Sequence, residues 1–148
     1  MKSKKVSRYI DWGYGFPVVL VGATLVFVRG VWTPRINYNL LAKEVMRNLV
    51  SLPARLTGYQ ARFIRLELNM TLEQFASRLM VSHPAVLKWE KAGDKPTGMN
   101  WSTEKDIRLF AMKSLKTSDR EFCKLYADLE NAGKAKPTKL KIEAKVAA

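Results

Sequence analysis

The fold is decided by the segment TLEQFASRLMVSHPAVLKWE, which runs from Thr71 to Glu90. Its first residue, Thr71, has Gln74 three positions later, which is the spacing of a capping box. In that motif each side chain binds a backbone N–H of the other residue at the start of a helix. The spacing therefore predicts a short helix from Leu72 to about Leu79.

A second helix follows after the two-residue connection Met80-Val81. Ser82 is placed to cap it, and Pro84 is tolerated because a first-turn position has no internal N–H bond to lose. The helix is predicted to end near Lys91, before a glycine and a proline. Two short helices joined by so tight a turn form a helix-turn-helix. Six apolar residues have the spacing needed to meet at one corner between them: Phe75, Ala76, Leu79, Val81, Val86 and Trp89.

The same residues resemble the DNA-binding segment of Cro/Xre-type repressors. The resemblance covers about a quarter of the chain and departs from the family pattern at two positions. Leu72 stands where the family usually has a phosphate-binding Gln, and Met80 replaces the usual turn glycine. The second departure requires Met80 to adopt a left-handed or rearranged backbone conformation, which costs Met more than Gly.

The resemblance implies that the helix from about Ser82 to Lys91 enters the major groove and reads base edges from its N-terminal half. His83 and Lys88 are the predicted hydrogen-bonding readers, Pro84 and Ala85 make only apolar contact, and part of the specificity is expected from DNA shape. The plainer alternative is that His83 and the lysines are solvated side chains without a role. The full predicted set of DNA-binding residues is Ser82, His83, Pro84, Ala85, Lys88, Lys91, Thr71, Arg62, Arg78 and Lys95.

Other residues of this segment have structural interpretations. Trp89 is predicted to lie in the core, and Glu90 is predicted to orient a nearby Lys or Arg, since it is acidic beside a polyanion. The loop from Lys91 to Asn100 is predicted to form an exposed turn near the DNA backbone. Outside the segment, Cys123 falls on a helical stripe and is predicted to be a small buried hydrophobe.

Apolar periodicity predicts further helices on both sides of the segment. One runs from about Leu40 to Leu52 with Asn39 as its cap, and another follows Thr57 as far as about Leu68. Two more run from about Ser102 to Leu115, capped by Ser102 or Thr103, and from Ser118 to about Leu129. The last three of these helices, with the two helices of the motif, give a five-helix Xre/lambda-repressor-like DNA-binding domain, so the fold class is mainly α with a small N-terminal β element.

The N-terminal part is rich in β-branched residues. Two runs, Val18–Val21 and Thr24–Val28, are split by Gly22, and a third run, Val31–Thr33, follows Gly30, which predicts a small sheet or hairpin. The predicted organisation is a basic segment at 1–15, a strand-plus-helix part at 16–54, the helix-turn-helix domain at 55–130 and a Lys-rich tail or edge strand at 131–148.

The C-terminal segment alternates strictly from Thr138 to Val146, with apolar residues on one side and mostly lysines on the other. Three outcomes remain open. The segment pairs as an edge strand on its own N-terminal sheet, pairs with a strand of another protein, or stays a solvated tail that scans phosphates.

Composition excludes several classes of protein. The chain has 148 residues, a net charge of +13, one Cys and one His, so a disulfide scaffold or a zinc site within the chain is excluded, and no cofactor or metal is expected. The apolar run Phe16–Val28 is too short to cross a bilayer and has poor signal-peptide flanks, so no membrane association is expected. A lone thiol suits a reducing compartment and a cytoplasmic location. Catalytic site motifs are lacking, so the protein is not expected to be an enzyme.

Two functions follow as hypotheses. The first is a sequence-specific regulator, a repressor that binds double-stranded DNA as a homodimer, because one recognition helix buries too little surface for specific affinity. The second is a protein-interaction module in which the N-terminal strands or the C-terminal stripe bind a partner. The order of a strand-bearing part and an Xre-type domain is similar to two-domain antitoxins of type II toxin–antitoxin systems. That resemblance implies an autoregulator with a toxin protein as partner, without the zinc that related antitoxins hold.

Overall fold

The protein has six α-helices and one four-stranded sheet in this computed structural model, which describes residues 2–148. The strands are β1 Ser3–Asp11, β2 Val18–Val28, β3 Val31–Pro34 and β4 Leu140–Glu143. The helices are α1 Tyr38–Val50, α2 Gly58–Glu67, α3 Leu72–Leu79, α4 His83–Glu90, α5 Trp101–Ser114 and α6 Asp119–Asp128, and a short 3₁₀ helix, η1, spans Ala144–Ala147.

The chain divides into two compact units. The first extends to Val45 and includes Lys139–Ala148, and the second is Met46–Thr138. The protein is thus mainly helical with a sheet, as the sequence predicts. The count of six helices differs from the predicted five-helix domain; five of them, α2 to α6, lie in the second unit. Across the described part of the chain, no helix is both long enough and apolar enough to span a membrane.

The sheet of the first unit is built around β2. β1 pairs with it antiparallel along its whole length, from Ser3 opposite Val26 to Asp11 opposite Val18. On the other edge, β3 pairs antiparallel with the second half of β2, and β4 pairs parallel with its first half. The buried apolar side chains of the strands include Val18, Val19, Leu20, Ala23, Leu25, Leu140 and Ile142.

Two predictions for the first unit need correction, and one alternative is decided. The segment 1–15 was predicted only to be basic, yet it contains β1, because long-range pairing with β2 stabilises a strand that carries Lys and Arg on an exposed edge. Gly22 does not split β2 and adopts a φ of 70° inside it. Of the three outcomes left open for the C-terminal stripe, the structure shows the first: the stripe pairs with β2 of its own sheet as β4.

The α1 helix begins and ends earlier than predicted. It spans Tyr38–Val50, whereas the sequence predicted about Leu40–Leu52. The capping side chain is that of Asn37, not Asn39, because its Oδ1 accepts from the N–H groups of Asn39 and Leu40 at 3.0 and 3.2 Å. A second correction concerns α5, which begins at Trp101 after Asn100, without a capping side chain.

A buried polar network holds the start of the second unit to α5. Arg108 and Glu104 are both fully buried, and Arg108 Nη2 donates to Glu104 Oε2 at 2.6 Å. Arg108 also donates to the main-chain oxygens of the segment before α2, those of Val50, Leu52 and Ala54. Burial lowers the pKa of Arg108 from its ordinary value, and the charge and hydrogen bonds of Glu104 oppose that shift. The network fixes the 50–56 segment, from which α2 starts.

Glu104 has other partners besides Arg108. Its Oε1 accepts from Arg55 Nε at 2.9 Å and from the backbone N–H of Leu56 at 3.2 Å. The apolar core of the second unit surrounds these groups with Leu49, Leu56, Phe63, Ile64, Phe75, Ala76, Val86, Met99, Ile107, Ala111, Leu125 and Leu129. Cys123, predicted to be buried, is exposed on α6, because the buried residues of that segment are Leu125 and Leu129.

Candidate nucleic-acid interface

The predicted capping box opens α3. Thr71 Oγ1 accepts from the N–H of Gln74 at 3.1 Å, and Gln74 Oε1 accepts from the N–H of Thr71 at 2.9 Å. The prediction is therefore confirmed, and it leaves Thr71 exposed at the start of the helix. The same arrangement also opens α2 through Thr57 and Gln60, which the sequence analysis did not recognise as a box.

The turn between α3 and α4 is formed by Met80 in the left-handed conformation, with φ 58° and ψ 40°. This confirms the conformation that the missing glycine required. Its N–H donates to the carbonyl oxygens of the last turn of α3, so the turn satisfies groups that the helix end leaves open. The side chain is 92% exposed and adds no packing. The backbone of this turn costs roughly 1–2 kcal/mol for a residue with a Cβ.

The start of α4 is capped as predicted. Ser82 Oγ accepts from the N–H of Ala85 at 3.2 Å, and the carbonyl oxygen of Ser82 accepts from Val86. Pro84 has no N–H, so of the first-turn amides only that of His83 is left for an anion. The start of this helix therefore offers few free amides to a phosphate, although the Ser82 hydroxyl can still donate its hydrogen.

The exposed residues of α4 form a single stripe that the helix-turn-helix turns outward. The stripe repeats at three- and four-residue intervals and consists of His83, Pro84, Leu87, Lys88 and Lys91. Val86 is fully buried on the opposite side. Ala85, a predicted contact residue, is half-buried and lies at the edge of the stripe. Leu87, which is not among the predicted contact residues, is 38% exposed. It lies four residues after His83, and this spacing puts both side chains on the same face of the helix.

An ion pair anchors the C-terminal end of α4 to α2. Arg65 Nε and Nη2 donate to the two carboxylate oxygens of Glu90 at 2.7 and 2.9 Å, and Arg65 Nη1 donates to the carbonyl oxygen of Met70 at 3.0 Å. The hydrogen bond to Glu90 raises the pKa of Arg65. Glu90 thus orients an arginine, as predicted, although its partner, Arg65, is not among the predicted site residues. Since both side chains are about 90% buried, this bidentate pair sets the position of α4.

Gly58 allows α2 and α4 to approach closely. A Cβ at this position would lie 2.5 Å from the backbone nitrogen of Gly93 and 2.7 Å from the carbonyl oxygen of Trp89. Both of these are backbone atoms that cannot rotate away. Trp89 itself is half-buried and not a fully buried core residue, because its helix end lies at this junction.

The remaining predicted residues differ in whether their charged groups already pair with acidic residues of the protein. Lys91 and Lys95 are exposed, and the main chain of Lys95 is held by a hydrogen bond from the N–H of Gly58 at 3.1 Å. Arg62 lies on α2 with its Nε 3.9 Å from Glu90 Oε1. Arg78 is engaged elsewhere: its guanidinium pairs with Asp106 at 3.1 Å and lies over the ring of Phe110.

Metal chemistry has no visible basis at this surface. Within residues 2–148, no three side chains of His, Cys, Asp or Glu lie close enough together to hold a metal ion. His83, Lys88 and Lys91 are the polar side chains on the α4 stripe that can offer hydrogen bonds. The surface is therefore a convex helical ridge with basic and apolar groups.

The comparisons with known proteins agree with this geometry. A helix-turn-helix family model of the Cro/C1 type matches residues 62–102, which extend from within α2 through α3 and α4 to the start of α5. This match supports an Xre-like regulator of transcription that binds double-stranded DNA. Neither a search of curated proteins nor a search of solved structures finds a match.

Proposed function

We propose that this protein is a sequence-specific repressor that binds its operator by placing α4 in the major groove. The observation that carries the proposal is the exposed stripe on α4. The opposite side of α4 is held in place by the ion pair between Arg65 and Glu90. A recognition helix has to present its outer side chains in a fixed orientation, because base readout depends on hydrogen-bond geometry. The anchored stripe meets that requirement.

In this proposal, two polar side chains read base edges. Lys88 donates to the O6 and N7 acceptors of guanine, and His83 donates or accepts according to its tautomer. Pro84 and Leu87 contact thymine methyl groups, with Ala85 contributing less because it is half-buried. Few polar readers are present, so the shape and deformability of the DNA account for the rest of the specificity.

The phosphate contacts come from the residues around the stripe. Lys91 and Lys95 are exposed and supply charge, and Ser82 and Thr71 supply polar groups at the starts of α4 and α3. Arg62 contributes if its distant contact with Glu90 yields to a phosphate. Arg78 contributes least, because binding a phosphate would break its pair with Asp106.

The repressor is proposed to act as a homodimer on a partly palindromic site. One recognition helix contacts only a few base pairs, and two copies spaced by one DNA turn supply the surface that specific binding needs. Light scattering after size exclusion gives the mass in solution, and the footprint gives the spacing of the half-sites. A monomeric mass both free and on DNA, with a single half-site protected, would refute this part of the proposal.

Selection of bound DNA from a random pool tests the proposal as a whole. Lys88→Ala is expected to weaken binding and change the selected sequence, at a cost of about 1–3 kcal/mol for the lost base contact. The matched variant Lys95→Ala removes the same charge and is expected to lower affinity while leaving the selected sequence unchanged. Identical selected sequences for the wild type and Lys88→Ala would rule out base reading by Lys88.

A narrower form of the proposal makes the protein an antitoxin-like autoregulator. Its support is the order of a strand-bearing first unit and a helix-turn-helix in the second. The neighbouring reading frame is the test: a small basic ribonuclease-like protein that binds this chain supports it. A gene without such a neighbour, or a neighbour that shows no binding, removes its basis.

A second candidate function is partner binding by the first unit. The tip of the β2–β3 hairpin exposes apolar side chains: Phe27 and Val28 are each 40% exposed and Val31 is 59% exposed. Such a patch is a feature of protein interaction sites. In contrast, three apolar residues of the C-terminal stripe, Leu140, Ile142 and Ala144, are already buried within this chain, and Val146 is 44% exposed. Val31→Asp is expected to abolish binding of a toxin partner and to leave DNA binding intact, and loss of both would contradict a separate role for the patch.

A further inference from the structure

One edge of β2 is covered by two different strands that leave a gap between them. β4 pairs with residues 18–21, and β3 pairs with residues 25–28. Gly22 therefore lies between the two paired segments, with a φ of 70°. Beyond β4 the chain turns into η1, which brings Lys145 to the same place. The gap opens into a shallow pocket of about 220 Å³.

Three cationic side chains line this pocket. Lys5 lies directly opposite Thr24 in the β1–β2 register, so the two side chains share one face of the sheet. Arg35 donates its N–H to the carbonyl oxygen of Thr24 at 2.8 Å, which extends the β2–β3 register and places Arg35 beside Thr24. Lys145 of η1 completes the group, with two alanines of the C-terminal segment. Lys5, Thr24 and Arg35 thus lie in one row across three neighbouring chain segments.

No side-chain carboxylate among the described residues forms an ion pair with the charges of this row. Lys5, Arg35 and Lys145 form no ion pair with any residue that the structure describes. Of the three acidic residues in the first unit, Asp11 is at the far end of β1 and accepts from Tyr38 and Gly13, and Glu44 lies on α1 and does not line the pocket. Glu143, two positions before Lys145, pairs in register with Val21 on the other face of the sheet. Like charges gathered on one face repel one another, so an anion between them would be favourable.

We propose that this pocket binds the phosphate group of a small ligand, either inorganic phosphate or a phosphate ester. Lys5, Arg35 and Lys145 supply the charge, and the half-buried hydroxyl of Thr24 donates a hydrogen bond. Arg35 suits the role because a guanidinium matches two phosphate oxygens at once. The volume is below the 300–1,000 Å³ usual for pockets that take drug-sized ligands, which fits a group of this size. The site does not include any residue of α4, so it is independent of the proposed function.

The test is a titration of the full chain with inorganic phosphate and with pyrophosphate, followed by ¹H–¹⁵N spectra at constant ionic strength set with chloride. Saturable shifts are expected at the amides of Gly22, Thr24 and Arg35. Lys5→Ala and Arg35→Ala are each expected to weaken binding about tenfold, because a charge-assisted bond is lost. Lys4→Ala is the matched control: it removes the same charge from the next residue of β1, whose side chain is on the opposite face, over Trp32.

Each outcome decides for or against the proposal. Shifts that do not saturate, or equal weakening by Lys4→Ala and Lys5→Ala, would show only the general attraction of a basic surface and overturn it. If Arg35→Ala weakened DNA binding while phosphate produced no pocket shifts, the row would be a DNA-backbone contact instead. If Arg35→Ala does not fold, Arg35→Lys replaces it in the titration, because Lys keeps the charge but lacks the guanidinium that matches two phosphate oxygens. Lys88→Ala is expected to leave the phosphate titration unchanged, which separates this test from that of DNA binding.

Discussion

Replacement of Arg108 by Met is expected to be among the most destabilising changes in the second unit. Met fills a similar volume but lacks the guanidinium, so three buried main-chain oxygens lose their donors: those of Val50, Leu52 and Ala54. Each unsatisfied buried group costs about 1–3 kcal/mol. Glu104 also loses one partner, although Arg55 and the N–H of Leu56 remain bonded to it.

The expected loss is about 3–5 kcal/mol, which is the usual cost of breaking one member of a buried ion pair. The three carbonyl groups alone, at the lower limit for each, account for about 3 kcal/mol of it. Small proteins are stable by only about 5–15 kcal/mol, so the variant is expected to be close to unfolding at room temperature.

Urea unfolding, followed by tryptophan fluorescence and by circular dichroism, measures the change. With a slope of about 2 kcal/mol per molar urea, the midpoint is expected to fall by about 1.5–2.5 M. Arg108→Lys keeps the charge and part of the hydrogen bonding, so it should fall between the wild type and Arg108→Met. The reasoning is refuted if Arg108→Met lowers stability by less than about 1 kcal/mol with an unchanged slope, because the carbonyl groups would then have found other donors.

Three further expectations concern the turn, the junction of α2 with α4, and the first unit. Met80→Gly should stabilise the protein by about 0.5–1 kcal/mol in urea unfolding, because Gly adopts the left-handed conformation without strain and no packing is lost. Met80→Ala is the control, and an equal gain in stability for Ala would contradict this cause. Gly58→Ala should destabilise by about 1–3 kcal/mol and weaken DNA binding, because its Cβ would meet the backbone of Gly93; unaltered binding would show that α4 tolerates the shift. The pKa of Tyr38 is raised to about 12 by burial and by the neighbouring charge of Asp11. Below pH 10 this group therefore adds no pH dependence to the free energy of unfolding, and stability should decline as the pH rises from 10 to 12. Ring ¹³C shifts check the titration, and Tyr38→Phe should remove this contribution to the pH dependence.

The sequence predicted the helix-turn-helix well because the interactions that define it are local. The capping box of Thr71 with Gln74 and the N-cap hydrogen bond of Ser82 to the N–H of Ala85 each join residues three positions apart. The left-handed turn at Met80 follows from the same spacing, since two helices so close in sequence need a residue in that conformation between them. The outward residues of α4 follow from helical periodicity, which also places Leu87, a residue absent from the predicted set, four positions after His83.

The predictions that failed depended on partners far away in the chain. β1 was not recognised, because a strand rich in Lys and Arg is stabilised by its register with β2 and not by its own composition. The predicted break at Gly22 is wrong for the same reason, because pairing with neighbouring strands keeps β2 continuous. Cys123 has a helical spacing that suits burial, but the packing of α6 turned a different face inward.

Sequence by itself determined where the helices of the motif begin, how they turn, and which side chains follow Ser82. Tertiary structure decided how the helix that carries those side chains is held: by the ion pair of Arg65 with Glu90, 25 residues apart in sequence, and by the close approach of α2 and α4 at Gly58. It also decided that the C-terminal stripe pairs in parallel with β2, which lies more than 110 residues earlier in the sequence. The physical reason is that capping and periodicity act within one or two helical turns, whereas strand register and buried ion pairs are selected only when the whole core is packed.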